Sequence, residues 1–144
     1  MPLTRDSCIG AVCLSASGII LCCSEFVYWY GTYSLFHLYQ FAYSPSPWIY
    51  LFPLIGGILF FLSGLLLMLL PQIKPNCIYG VAFATLTILM IFLWEILANE
   101  HGNIWKSWGI YLFIIANVLV LVGFLLILID HTKAKEKEEN MRDR

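Results

Sequence analysis

Four runs of the chain, about 7–29, 48–70, 77–97 and 105–129, contain only Glu25, Glu95 and Lys106 among all the Lys, Arg, Asp and Glu residues. Crossing a ~30 Å hydrocarbon core takes about 20 residues of helix at ~1.5 Å each, so every run is long enough. A helix satisfies its own backbone polar groups, which lipid cannot do. The runs therefore predict an all-α integral membrane protein. Breakers stand between them: Pro45 and Pro47 before the second, Pro71 and Pro75 within "LLPQIKPN", and "ANEHGN" after the third. Only 12% of the 144 residues are charged, against about 25% in ordinary soluble domains. The first run continues past "LSASG" through "IILCCS" to an aromatic cluster, which predicts a retained helix rather than a cleaved leader.

The cations set the expected orientation. Arg5, Lys74, Lys133, Lys135, Lys137, Arg142 and Arg144 fall on one side of a four-span topology and Lys106 alone on the other. Short cytoplasmic segments collect Lys and Arg, so both termini are expected inside, with 131–144 as a charged cytoplasmic tail. The tail mixes its cations with Glu136, Glu138, Glu139 and Asp143, which gives no footprint for nucleic acid. Tyr28, Trp29 and Tyr30, Trp48 and Tyr50, Trp94, and Trp105 and Trp108 all gather at the outer ends of the runs, as an aromatic belt would. In "SLFHLYQFAY" the polar Ser34, His37 and Gln40 recur every third position, a pattern expected of a short interfacial helix in the first outer loop.

Small residues predict how the helices pack, because in lipid close backbone approach replaces the hydrophobic drive. The first run carries Ala11, Ser15, Gly18 and Cys22 on one face, and the next step on that face is Glu25. The third carries Gly80, Ala84 and Thr87, and its row continues through Ile91 to Glu95. The fourth carries Gly109, Ala116 and Gly123 seven apart, with Asn117 beside them, and the second offers Gly56, Gly57, Ser63 and Gly64. An antiparallel four-transmembrane-helix bundle is the expected assembly.

Glu25 and Glu95 are the candidate intramembrane carboxylates. Each lies about seven residues outward of its run's middle, ~10 Å from the midplane at the helical rise, so the two share a depth and can be drawn as a facing pair. Carboxylates inside a membrane usually face protein and find partners. His37, Glu100 and His101 form a candidate outer polar cluster, but no His or Glu pair has metal-ligand spacing on one helix, and neither a metal nor a cofactor is expected. Cys8, Cys13, Cys22 and Cys23 lie in the first run and Cys77 opens the third. Without a C-x-x-C or an outer-loop thiol, quinone-linked thiol–disulfide chemistry is excluded. Claudins and tetraspanins also have four spans, but their outer-loop W-x-G-L-W and Cys-Cys-Gly motifs are missing here. With a poor polar inventory and abundant packing rows, the expected function is non-enzymatic. It is that of a tetraspan working through helix contacts with the bilayer around it, as an accessory subunit of a membrane complex or as a homo-oligomer. The alternative is a small proton- or ion-coupled transporter using Glu25 and Glu95.

Overall fold

The computed structural model describes residues 4–30, 32–41, 47–70, 75–99 and 104–142. In chain order the elements are α1 (Arg5–Phe26), β1 (Tyr28–Tyr30), β2 (Tyr33–Ser34), α2 (Leu35–Phe41), a 3-10 turn (Pro47–Leu51), α3 (Phe52–Leu69), α4 (Pro75–Asn99), a second 3-10 turn (Ile104–Lys106) and α5 (Trp108–Arg142). Four of these helices are long and apolar enough to cross a membrane, consistent with an all-α multi-pass membrane protein.

Local chemistry explains the boundaries. Thr4, extended at ψ 163°, caps α1 by accepting the Ser7 backbone N–H on its hydroxyl at 3.3 Å. The helix ends at Val27, also extended, where "VYWY" begins a β-branched and aromatic run that suits a strand better than a helix. The first helix therefore ends before the expected Trp29, and Tyr28–Tyr30 pairs antiparallel with Tyr33–Ser34 in a small hairpin. Pro53 occupies the first turn of α3 and Pro75 opens α4, positions where the missing N–H costs nothing. At its far end α5 does not stop with the apolar run but continues as one helix to Arg142, its last turns exposed on all sides. The 131–142 part of the tail is thus helical, with pairs such as Glu138 and Arg142 at the i, i+4 spacing that supports an exposed helix.

Helix α1 sits at the centre, pressed between α3 and α5. A β-carbon built on Gly18 would lie 2.5 Å from both the Gly57 carbonyl oxygen and the Phe61 backbone nitrogen, and one on Gly57 would lie 2.7 Å from the Gly18 carbonyl and the Cys22 sulfur. Gly64 meets Ala11 and Ser15 in the same way. Against α5, Gly10 and Gly123 approach each other's carbonyl oxygens. Low-numbered residues of α1 thus meet high-numbered residues of α3 and α5. The close backbone approach gives dispersion contacts that larger side chains would forbid. Cys22 and Cys13 take part as small packing groups, and all five cysteines are free.

Helix α4 is held differently, by large side chains rather than by glycines. Leu89 packs on Gly56 of α3, Phe92 on Phe113 of α5 with ring centroids 5.5 Å apart, and Tyr79 on Phe124 at 6.2 Å. Its buried face is Ile78, Ala82, Thr85, Leu89, Phe92 and Ile96. This corrects the expected packing row of the third run. Gly80 and Ala84 lie on the exposed side, with Thr87, Ile91 and Glu95, and a β-carbon on Gly80 would meet nothing within 4 Å. The physical reason is volume: with α1 already occupied by close neighbours, α4 closes the remaining gap with Leu and Phe, and its small-residue face turns away.

Candidate functional site

Glu25 is the last acidic residue of α1, one, two and three helical turns beyond Leu21, Gly18 and Leu14 on the same interior-facing side. Its side chain is fully buried, and neither carboxylate oxygen has a hydrogen-bond partner. The neighbouring hydroxyls are already committed. Ser24 donates to the Leu21 carbonyl and Ser17 to the Leu14 carbonyl, both at 2.7 Å, the back-bonding that lets Ser sit in a helix without a tertiary partner.

Trp29 closes this end of the molecule. The expectation placed it in an exposed aromatic belt; instead it folds back and is fully buried, while Tyr28, Trp48, Trp94, Trp105 and Trp108 are exposed. Its indole N–H donates to the Ser24 carbonyl at 2.6 Å, one of the carbonyls that a helix C-terminus leaves without an intrahelical partner. Its ring stands edge-on to Phe92 at 5.8 Å and to Phe113 at 5.9 Å, an arrangement favoured by ring quadrupoles. Gly109 provides the space: any β-carbon there would collide with the indole. The hairpin makes this possible, because leaving the helix at Val27 lets Trp29 point inward rather than along the α1 surface.

Beside the hairpin, Ser34 is buried and caps α2, accepting the His37 backbone N–H at 3.3 Å, and its hydroxyl lies 2.8 Å from His37 Nδ1. His37 itself is exposed. Glu95 is on the exposed side of α4. No hydrogen bond joins it to Glu25, whose oxygens are unpartnered, so the expected facing pair of carboxyls is not formed. Glu100 and His101 lie outside the described residues. Among the described residues no group of three or more His, Cys, Asp and Glu is placed to hold a metal ion.

The opposite, charged end carries a cluster of hydroxyls and carboxylates. Asp130 of α5 accepts from the Thr4 hydroxyl at 2.5 Å and from the Ser7 hydroxyl. A carboxylate at the N-terminus of α1 also complements the helix dipole. Asp6 and Lys133 add an ion pair at 3.7 Å, with side chains 43% and 66% exposed, worth at most about 1 kcal/mol at that exposure. The sequence signal for this contact is Thr4-x-x-Ser7, which places two hydroxyls at the start of α1.

Among the described residues three further buried polar atoms lack partners: the Tyr79 hydroxyl, the Asn117 side-chain oxygen and the Ser15 hydroxyl. Asn117 Nδ2 donates to the Phe113 carbonyl at 2.8 Å, which leaves its oxygen pointing into the helix packing. Fold and site together define a class: an all-α protein with four membrane-length helices, small-residue seams and the buried carboxyl of Glu25 at the hairpin end. Comparison with family models, with curated proteins and with solved structures finds no match to this chain.

Proposed function

We propose that the protein is an antiparallel four-helix transmembrane bundle with both termini cytoplasmic. It works without catalysis, through helix contacts, and the outward face of α4 receives a helix of another membrane subunit or of a second copy. One observation carries this reading. Of the eight described glycines, seven would place a β-carbon within 3.0 Å of another element, and Gly80 alone meets nothing within 4 Å. Gly in a helix interior costs roughly 0.5–1 kcal/mol relative to Ala, and in lipid it is repaid where another helix approaches closely. Ala84 and Thr87 continue the same exposed row.

The test is Ala84→Leu in the full-length protein, purified in mild detergent. A side chain added to the outward face is expected to leave thermal stability unchanged while abolishing a co-purifying subunit or reducing the particle to a monomer. Unchanged composition and size, together with no cross-link from a single cysteine at position 84, would remove α4 as the docking face.

The orientation rests on the seven-to-one division of cations. Single cysteines placed at the exposed Gln40 and Lys106, in a background without the native cysteines, are expected to react with an impermeant maleimide in intact cells. Reaction only after lysis would invert the topology.

A further inference from the structure

The interior of the helix packing contains unpartnered polar atoms at three levels: both oxygens of Glu25, the side-chain oxygen of Asn117 and the hydroxyl of Tyr79. Left without a hydrogen bond, each costs about 1–3 kcal/mol, so such groups are few in a folded chain and call for a ligand or bound water. Their positions follow from contacts already described. Trp29 packs on Gly109 and Phe113, and Gly10 on Gly123 and Ile127, so Glu25 stands near the level of Phe113. Asn117 is one turn further along α5, on the Phe113 to Phe124 side that faces α4. Tyr79 stacks on Phe124, about two turns of α5 short of Asp130. Along α5 the steps from Phe113 to Asn117, to Phe124 and to Asp130 are ~6, ~10 and ~9 Å at the helical rise. Gaps of that length would each take about one to three waters at ordinary hydrogen-bond spacing. Buried Ser17, Ser24 and Thr85 lie within the same span, and at the two ends Ser34 touches the exposed His37 while Asp130 is held by Thr4 and Ser7.

We propose that Glu25, Asn117, Tyr79 and Asp130 mark a water-filled polar path through the bundle interior along which protons pass between its two ends. At Glu25 an O–H bond forms as a proton arrives from one side and breaks as it leaves to the next water; no other bond changes and no electron moves. Ser15 is not part of the path, because it faces α3 against Gly64. Of the other titratable side chains described in the apolar stretches of α1, α4 and α5, Cys13 packs against Gly123 and Cys22 against Gly57, while Cys8, Cys23, Cys77, Glu95 and Tyr111 are exposed. The path lies inside one chain, so it stands or falls independently of what docks on α4.

The test is proton flux into liposomes containing the purified full-length protein and a trapped pH dye, driven by a potassium diffusion potential. Flux above that of empty liposomes is expected for the wild type, falling to the empty-liposome level in Glu25→Gln and sharply lowered in Tyr79→Phe, which removes one oxygen and keeps the ring. Glu95→Gln, on the exposed side of α4, is expected to conduct as the wild type does. Wild-type flux no greater than that of empty liposomes overturns the proposal, as does flux that survives both Glu25→Gln and Tyr79→Phe. Should Glu25→Gln fail to give a stable monodisperse protein, Tyr79→Phe decides alone: undiminished flux refutes the path.

Discussion

Gly18→Ala and Gly57→Ala are each expected to destabilise the protein sharply, although alanine is the better helix former. One methyl group at either position lands on backbone atoms of the facing helix, at 2.5 Å for Gly18 and 2.7 Å for Gly57. Backbone cannot swing aside as a flexible side chain can. The α1 and α3 axes must separate, and the contacts of the whole seam weaken with them. Overpacking of this kind costs about 1–3 kcal/mol or more, against a propensity gain of about 1 kcal/mol. Gly80→Ala supplies the control, because nothing lies within 4 Å of the added carbon, and it should leave the fold unchanged or raise its stability slightly. Thermal unfolding in one detergent, read for all three variants, checks the ordering. Equal effects at Gly18 and Gly80 would show that α1 and α3 are not in backbone contact.

Trp29→Ala is expected to have the largest effect of any single truncation. The indole is fully buried, packs on Phe92, Phe113 and Gly109, and holds the hairpin to the end of α1 through the Ser24 carbonyl. Emptying a site of that size costs about 3–5 kcal/mol where the surroundings cannot collapse. Gly109→Ala attacks the same contact from the other side and should cost a comparable amount by collision with the ring. The two positions are coupled: in a Trp29→Phe background the smaller ring leaves room, and Gly109→Ala should cost markedly less than in the wild type. A double-mutant cycle on unfolding midpoints measures this, and strict additivity would mean that Trp29 does not occupy the space Gly109 leaves.

These expectations separate what could be read along the chain from what needed the folded molecule. The rows of Ala11, Ser15, Gly18, Gly57, Gly64 and Gly123 were legible, because a run of small residues at helical spacing in an apolar segment has few uses other than close approach. Gly80 and Ala84 carry the same local pattern, yet they face outward. Periodicity defines a face and does not say which neighbour takes it. The depth of Glu25 could likewise be counted along α1, whereas its lack of a hydrogen-bond partner depends on where Glu95 and the hairpin come to rest.

The sequence by itself determined the four membrane-length helices, their approximate ends, the α2 turn after Ser34 and the small-residue seams. Each of these is set by hydropathy, proline placement or helical spacing over neighbouring residues. Only the tertiary structure decided that α1 is the central helix, that Trp29 turns inward instead of joining the aromatic belt, and that Asp130 ties down the start of α1 across 126 positions of chain. Those outcomes depend on which surfaces compete for the same space, and the volumes left between packed helices are a property of the whole chain, not of any stretch of it.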